Sequence, residues 1–389
     1  MPSSSGTDHK KIAMLGSLPP LRALSSYCLE HASVIANSVN VQFISFKRIY
    51  PSVLYPGGDL KDDYTFPLIS NPNLRVRRRL TWYNPFSWIM EGLFTDGELL
   101  HAQWWSPPLA LIYFIVCIGF KLRRKPVVFT VHNIFQHDKH HVHEILSRVL
   151  LRLGDHYIVH CESNRRQLSR YFGIQNDRIS VIPHGPLDFH VQNGKDREKI
   201  RGEIGFDPRD KVILLFGTVR PYKGIDVALR AFPKVLKKIP EARLLIAGKL
   251  WEDWRPYERL IKGLGITDYI KTHLQYIPSN EVCDFFLASD LVILPYHNFD
   301  SQSGVGATAI SFHKPMIVAD TGGLPELVSD QRYVVPPRDT EALANRIVYC
   351  LADSSRLDEM SAKAKELAES MAWSVIAEKT ISLYERILG

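Results

Sequence analysis

Strand-length apolar runs alternate with segments of helical periodicity along the whole chain. The clearest case begins at residues 212–216, a continuous run of Val, Ile, Leu, Leu and Phe. Residues 226–232 then carry apolar side chains at helical spacing, and a second apolar run fills 243–247. This order of strand, loop, helix and strand is typical of a parallel sheet.

The same alternation predicts an α/β protein with strands in both halves. The predicted strands are 12–18, 41–46, 99–105, 127–133, 156–161 and 179–185, then 211–216, 243–247, 273–276, 291–294, 316–319 and 332–335. The predicted helices are about 25–37, 108–120, 146–153, 164–172, 226–238, 255–263, 279–288, 304–313, 340–352, 355–370 and 374–388. Residues 50–73 are rich in Pro, Gly, Asp and Asn, which predicts a loop.

Length and composition indicate two globular domains. A chain of 389 residues is long for a single core, and 45% apolar with 23% charged residues is ordinary for a globular protein. The polar segment 188–210 contains three glycines and a proline, so we place the domain boundary near 186–192. We expect residues 1–10 to be disordered because they are polar and precede the first apolar run.

The loop between residues 217 and 224 carries the strongest chemical pattern. It joins a strand to the next helix, and such loops lie at the edge of a parallel sheet where ligands bind. Gly217 and Gly224 allow close approach of the backbone, and Arg220 and Lys223 supply two positive charges beside a helix start. A phosphate or diphosphate suits this loop; the alternative is an ordinary loop with two solvated cations.

Two further strand tips in the second half end in glycine-bearing turns. Residues 297–306 follow one predicted strand and lead into an apolar helix, and 320–326 follow the next strand. Small residues at a helix start let backbone N–H groups reach an anion. Three such tips in one half favour a nucleoside diphosphate site over three ordinary turns.

Charge and cysteine content indicate which partners and which cellular compartment to expect. The formal charge of +7 suits an anionic small ligand or an anionic membrane surface, and the chain lacks an aromatic-interleaved basic repeat of the kind that binds nucleic acid. Five widely spaced cysteines without a CxxC pair indicate reduced thiols in a cytoplasmic protein and do not form a zinc motif. We see no secretory leader before the first predicted strand.

Three segments of the first half leave alternatives open. Residues 75–79 hold four arginines and 82–88 are rich in aromatics, which indicates either a solvated edge beside packed rings or a face that contacts anionic lipid. The apolar stretch 108–120 is shorter than the ~20 residues of a membrane span, so a buried helix is favoured over a membrane-embedded one. His132 lies at the C-terminal tip of a predicted strand, where ligands bind; four more histidines follow, but a loop over the site is favoured over a metal cluster.

Together these motifs resemble the family 4 glycosyltransferases of the GT-B fold. The resemblance covers nearly the whole chain and is carried by residues 216–224, by 245–248 and by 313–326. It implies two Rossmann-like doubly wound domains with an interdomain cleft. It also implies that the helix after residues 371–374 crosses back to the first domain. The domains are then 1–188 on the acceptor side, 189–372 on the nucleotide-sugar side, and 373–389 as the returning helix.

The resemblance also implies the chemistry and the site. It implies a hexosyltransferase-type enzyme that retains the anomeric configuration and takes a UDP- or GDP-sugar as donor substrate, with neither cofactor nor metal required. Two fixed cations would stabilise the charge on the departing diphosphate. The catalytic positions that it implies are Arg220, Lys223, His132 and Asp300. The donor-binding positions that it implies are Gly217, Gly248, Tyr276, Ile277, Ser303, Gly304, Val305 and Thr308.

Two departures from the family pattern affect these expectations. The family places two glutamates eight positions apart, where this chain has Asp300 and Thr308. A loop near the N-terminus that often carries a Gly pair has residues 21–24, Leu-Arg-Ala-Leu, instead. Asp300 can still accept hydrogen bonds from a sugar, whereas Thr308 can bond a ribose hydroxyl only weakly.

We therefore expect a cytoplasmic glycosyltransferase that acts on a saccharide or a lipid-linked saccharide, in the synthesis of cell-surface polysaccharide or glycolipid. A peripheral contact with the inner face of the membrane is the accompanying hypothesis, and no nucleic-acid partner is expected. Two alternatives remain open: a sugar-nucleotide epimerase of the same fold, and a non-catalytic subunit that binds nucleotide sugar.

Overall fold

The computed structural model describes residues 10–22, 24–51, 62–66, 70–134, 141–188, 191 and 194–389. The expected disorder of residues 1–10 lies outside this part of the chain, apart from residue 10. The chain divides into two compact units, of which the first contains residues 1–182 and 373–389 and the second contains 183–372.

The first unit is built on a seven-stranded parallel sheet. Its strand order is β3-β2-β1-β4-β5-β6-β7. The strands are β1 (Lys11–Leu15), β2 (Asn40–Arg48), β3 (Leu74–Thr81), β4 (Leu99–Trp104), β5 (Val127–Val131), β6 (His156–Val159) and β7 (Ile179–Val181). The central strands β1, β4 and β5 are buried almost throughout, as expected for a parallel sheet covered on both faces.

Helices cover both faces of this sheet. They are α1 (Ser25–Ile35), α2 (Pro85–Phe94), α3 (Ala110–Leu122), α4 (His141–Leu151), α5 (Glu162–Phe172) and α13 (Trp373–Leu388). The connections from β3 through β7 all advance in one direction along the sheet, so right-handed crossovers place α2, α3, α4 and α5 on one face. The connection from β1 to β2 runs the other way, so α1 lies on the opposite face, where α13 packs against it.

The second unit is built on a six-stranded parallel sheet in the order β10-β9-β8-β11-β12-β13. Its strands are β8 (Lys211–Phe216), β9 (Ala242–Ala247), β10 (Ile270–His273), β11 (Leu291–Leu294), β12 (Met316–Ala319) and β13 (Val334–Val335). Its helices are α6 (Arg197–Ile204), α7 (Ile225–Leu236), α8 (Arg255–Leu264), α9 (Val282–Ala288), α10 (Gly304–Ser311), α11 (Thr340–Leu351) and α12 (Ser354–Ser370).

Each sheet has apolar clusters on its two faces. In the second unit, Ile213, Leu215 and Leu244 point to the side covered by α7 and α11, whereas Val212 and Leu214 belong to the cluster on the other side. This alternation is the period-2 pattern of a strand with two covered faces. It explains why β8 appears in the sequence as an unbroken apolar run.

The arginine-rich segment and the aromatic stretch after it form two regular elements. Residues 74–81 form the edge strand β3, which pairs with β2, and residues 85–94 form helix α2. Neither element was predicted. Arg77 forms a two-pronged ion pair with the buried Glu91, and Trp88 is buried with its indole N–H donated to the Thr81 carbonyl. The segment is therefore structural at these positions, and only part of it faces solvent.

Candidate functional site

The sequence-predicted donor residues gather at the carboxyl edge of the six-stranded sheet. Gly217 directly follows β8, and its N–H donates to the Ala247 carbonyl at the end of β9 over 2.8 Å. The next residue of that chain segment, Gly248, donates its N–H to the His273 carbonyl at the end of β10 over 2.9 Å. Three neighbouring strands therefore end side by side, which is where α/β sheets bind ligands.

Two glycines with positive φ let backbone segments approach closely at this edge. Gly224 has φ +69°, and a Cβ there would lie 1.9 Å from the Pro295 carbonyl oxygen. Gly248 has φ +146°, and a Cβ there would lie 2.2 Å from the Gly217 carbonyl oxygen. No other residue fits either position without moving the backbone. The loop 217–224 is thereby held against the end of β11, with its cations at the sheet edge.

Lys223 is a cation that the fold buries almost completely, leaving only 5% of the residue exposed. Its ammonium donates to the Tyr296 hydroxyl and lies 4.3 Å from the centroid of that ring. Burial, with a smaller contribution from the charge of Arg220, lowers the pKa of Lys223 to about 7. Burial also raises the pKa of the Tyr296 phenol, so this partner is neutral. An anion at this edge would favour the charged ammonium.

Arg220 lies at the start of the same turn and is half-buried. Its guanidinium stacks over the indole of Trp251, 3.8 Å from the ring centroid. The cation–π contact fixes the plane of the guanidinium while leaving its N–H donors at the edge of the group. The stacking thus holds the Arg220 guanidinium in one orientation at this edge of the sheet.

A hydrogen-bonded chain connects Lys223 to the start of helix α10. The Tyr296 hydroxyl lies 3.3 Å from the Ser303 hydroxyl, which caps α10 by accepting the N–H of Gly306. On the other side of the loop, a Cβ at Gly217 would come 3.0 Å from Val305. The first backbone N–H groups of α10 therefore lie beside the buried ammonium. This combination of a cation with a helix start suits an anionic ligand.

Other predicted site residues of the second unit lie inside α10 or in the loops after β10 and β11. The Thr308 hydroxyl is buried and donates to the Gly304 carbonyl over 2.9 Å, so its proton already has a partner inside α10. Ile277 packs into an apolar cluster with Phe285. Tyr276 and Asp300 are half-buried in loops that follow β10 and β11. Because β10 ends at His273, the predicted strand 273–276 is wrong, and Tyr276 belongs to the loop after the strand.

His132 belongs to the first unit, where it follows β5 by one residue. It is buried, with Nε2 2.9 Å from the Gln103 side-chain oxygen and Nδ1 3.0 Å from Nε2 of His160. The Tyr27 ring packs edge-on against it at 4.7 Å between centroids. The roles proposed for His132 and for the donor residues of the second unit stay predictions.

Sequence reasoning missed four residues that the structure brings into these networks. Tyr296 and Trp251 contact the two cations of the loop 217–224, which we call the donor loop because it is predicted to bind the donor. Gln103 and His160 contact His132. Tyr296, Gln103 and His160 all lie at or just past the C-terminal end of a strand, so that position was the available indication. In the described part of the chain, no cluster of three or more His, Cys, Asp or Glu could hold a metal ion.

Comparison with known proteins gives the class. Residues 47–186 match the family model described as Glycosyltransferase Family 4, and residues 196–367 match the one described as Glycosyl transferases group 1. The chain therefore belongs to the family 4 glycosyltransferases of the GT-B fold, and the predicted family and fold are confirmed.

Among individual relatives, the chain is 27% identical over 244 residues to D-inositol 3-phosphate glycosyltransferase of Segniliparus rotundus, covering 61% of this chain and 54% of that protein. The matched stretch spans about half the length of the first curated relatives.

Two solved structures share the fold over almost the whole chain. Sucrose-phosphate synthase from Thermosynechococcus elongatus has a TM-score of 0.73 at 17% identity, covering 97% of this chain and 99% of that one. The Anabaena protein HepE, solved in complex with UDP and glucose, has a TM-score of 0.73 at 17% identity, covering 97% of this chain and 100% of that one.

Proposed function

We propose that this chain is a retaining glycosyltransferase that moves a sugar from a UDP- or GDP-sugar to a saccharide or a lipid-linked saccharide. The observation that carries the proposal is the buried Lys223 ammonium beside the preoriented Arg220 guanidinium at the start of α10. Departure of a nucleoside diphosphate concentrates negative charge on the leaving group, and two fixed cations stabilise that charge most where water is excluded.

The relatives support the proposal without setting its details. The names of the first curated relatives describe transfer to a phosphorylated inositol, and HepE was solved with UDP. We therefore favour UDP as the nucleotide. Synthesis of a cell-surface polysaccharide or glycolipid remains our proposal for the biological role.

Donor binding is tested first by a thermal-shift screen of the full chain against UDP, GDP and ADP and their sugars. A ligand that binds the native state raises Tm by mass action, so the correct nucleotide should stand out from the others. If none of the nucleotides shifts Tm up to millimolar concentration, the donor site is refuted.

Turnover then separates the three candidate functions. A transferase consumes donor sugar only when an acceptor is present, and NMR of the product anomer shows whether configuration is retained. An epimerase would convert the donor without any acceptor. A protein that binds the nucleotide yet turns over no donor, with any acceptor in a panel of saccharides and lipid-linked saccharides, would be a binding subunit.

We also propose a peripheral membrane contact, through the layer formed by helices α2, α3 and α4. Of the fourteen large apolar side chains that are exposed among the described residues, twelve lie between positions 82 and 171. Phe86 and Phe94 on α2 are 68% and 65% exposed, and Ile145 on α4 is 60% exposed. Such a concentration on one side of a domain is typical of an interaction surface.

Charge favours an anionic lipid surface as the partner of this layer. Arg79 is largely exposed at the end of β3, Arg124 is exposed just after α3, and Arg152 is exposed just after α4. Exposed apolar side chains in a domain that also carries exposed arginines suit the interface of a bilayer that contains acidic headgroups. No helix in the described part of the chain is long and apolar enough to span a membrane.

Vesicle sedimentation at low salt tests this contact. We expect the protein to bind vesicles containing phosphatidylserine or phosphatidylglycerol and to bind pure phosphatidylcholine weakly. The double variant Phe86→Ser/Phe94→Ser should lose binding, whereas Tyr64→Ser, which changes an exposed aromatic outside the layer, should not. Failure of the unmodified protein to bind anionic vesicles would remove the membrane contact and leave the donor site untouched.

A further inference from the structure

Buried histidines lie together beneath the carboxyl edge of the seven-stranded sheet. His101 is on β4, His132 follows β5 and His160 follows β6, and all three are almost completely buried. His132 and His160 are joined directly, with 3.0 Å between Nδ1 of His132 and Nε2 of His160. We refer to these two rings as the histidine pair.

Each end of the histidine pair faces an oxygen. Nδ1 of His160 lies 3.0 Å from the Ile182 carbonyl oxygen, and Nε2 of His132 lies 2.9 Å from the side-chain oxygen of Gln103. A carbonyl oxygen can only accept a hydrogen bond, so both outer nitrogens must carry a proton. The inner contact between the two rings requires one proton more.

The orientation of the Gln103 amide agrees with its neighbours. Its nitrogen lies 3.3 Å from Nε2 of His101, which also contacts the Thr130 hydroxyl at 2.7 Å, while Nδ1 of His101 bonds to the Tyr384 hydroxyl. A neutral His101 satisfies this set by accepting at Nε2 and donating at Nδ1. Burial lowers the pKa of His101 to about 3, so it stays neutral.

The histidine pair needs more protons than two neutral rings supply. Two neutral imidazoles carry two N–H protons, but the three hydrogen bonds of the histidine pair require three. We infer that His132 and His160 share one extra proton, as an imidazole–imidazolium pair that carries a single positive charge. Gln103 and His160 are then positioning residues, because their acceptor atoms set the orientation and protonation of the His132 ring.

The histidine pair lies against the aromatic ring of Tyr27 on α1. The Tyr27 ring packs against both members of the pair, with centroids 4.7 Å from His132 and 5.2 Å from His160. The titratable groups around the pair include Tyr27 and His31 on α1, His101 on β4 and Tyr384 on α13. Burial raises the pKa values of both tyrosines, which keeps them neutral, so neither adds a negative charge beside the pair.

This inference rests on the proposed function only for its consequence. If His132 takes part in transfer, the charged pair leaves its ring no bare nitrogen, because Nε2 donates to Gln103 and Nδ1 shares a proton with His160. The ring then cannot take a proton from an acceptor hydroxyl. His132 would then act as a fixed positive charge, which stabilises negative charge on a phosphate or on a reacting group. It would not act as the general base.

Ring nitrogen NMR on the full chain tests the shared proton directly. Long-range proton–nitrogen spectra of protein labelled with ¹⁵N in its histidine rings distinguish protonated from bare nitrogens, and His132→Gln and His160→Gln identify the two rings. At pH 7 we expect three protonated nitrogens on the pair. Two protonated nitrogens at pH 7, with one bare nitrogen on each ring, would mean a neutral pair with the Gln103 amide turned over, and would overturn the inference.

Two variants at Gln103 test its role through the pH at which the pair loses its extra proton. A residue that only supported the fold would not change this pH. Gln103→Glu places a carboxylate against Nε2 of His132, which should raise the pH at which the pair loses its extra proton by about one unit or more. Gln103→Leu removes the acceptor and should lower that pH. Equal midpoints in both folded variants would contradict the inference. The NMR measurement needs no donor or acceptor, so its outcome is independent of whether transfer is detected.

Discussion

Replacing Lys223 by methionine should have opposite effects on ligand binding and on stability. The buried ammonium favours binding of an anionic ligand but lowers the free energy of unfolding. The substitution keeps the length and most of the volume of the buried side chain while removing its charge. In the free protein, the Lys223 ammonium contacts a neutral phenol and an aromatic ring inside the second unit. We therefore expect Lys223→Met to lower affinity for the donor and to raise the free energy of unfolding.

The expected change in the free energy of unfolding follows from the lowered pKa of Lys223. The folded pKa of Lys223 is about 7, against an ordinary value of 10.5, so full protonation of the buried amine costs roughly 5 kcal/mol. Between these two values the unfolded chain binds more protons, so this contribution makes the wild type more stable as pH rises from 7 towards 10.5. Lys223→Met removes the contribution, and we expect it to be more stable than the wild type by about 2–5 kcal/mol at pH 7.

The magnitude for binding follows from the lost charge-assisted hydrogen bond. Removing one such bond to a diphosphate costs about 1.5–3 kcal/mol, which is roughly a 10- to 100-fold increase in Kd. Above pH 7 the wild type must also take up a proton to bind, so its affinity should fall by up to about tenfold per pH unit. The variant should lack this part of the pH dependence.

Isothermal titration calorimetry and thermal unfolding measure both effects. Titration with the nucleoside diphosphate found in the thermal-shift screen, in buffers of different ionisation enthalpy, reports the proton uptake. Lys314→Met is the matched control, because Lys314 is also a mostly buried lysine whose pKa is lowered by burial, and it donates to the Ser289 carbonyl away from the donor loop. If Lys223→Met binds as tightly as the wild type while Lys314→Met does not, the reasoning about the donor loop is refuted.

Three further predictions concern other positions. Arg220→Lys keeps the charge but loses the planar fork and the stacking on Trp251, so Kd for the nucleotide should rise about 5- to 10-fold in calorimetry. Gly248→Ala should lower the urea midpoint by the equivalent of about 2 kcal/mol or more, since its Cβ would meet the Gly217 carbonyl; an unchanged midpoint would contradict the geometry. Tyr384→Phe removes the hydroxyl that His101 bonds, which should cost about 1–3 kcal/mol in chemical denaturation.

The parallel sheets could be foreseen because their strands are buried on both faces. β8, β11 and β12 are uninterrupted apolar runs followed by glycine-bearing turns, so strand, edge and loop are all visible in the sequence. The edge strand β3 was missed because one side of an edge strand has no partner in the sheet, and its arginines disrupt the apolar pattern. Helix α2 was missed because exposed Phe and Ile residues hide the contrast between its two faces.

The donor loop could be foreseen as a phosphate site, but the state of its cations could not. Glycine spacing and charge place Arg220 and Lys223 at a strand tip from sequence alone. Lys223 is buried against Tyr296, which lies 73 positions further along the chain, and Arg220 stacks on Trp251, which lies 31 positions further. Only the folded structure brings these residues together. The histidine pair is similar, because its three hydrogen bonds join four segments that are distant in the chain.

Helix α13 packs on the first unit, although it follows the whole of the second unit in the sequence. The His101–Tyr384 hydrogen bond closes a loop of 283 residues, and the whole of 183–372 lies inside that loop. During synthesis, the inserted unit has its complete set of strands before the first unit receives Trp373 and Ile376. The first unit is therefore completed after the second, and the apolar side chains that α13 covers stay without it until translation has passed through the whole of 183–372.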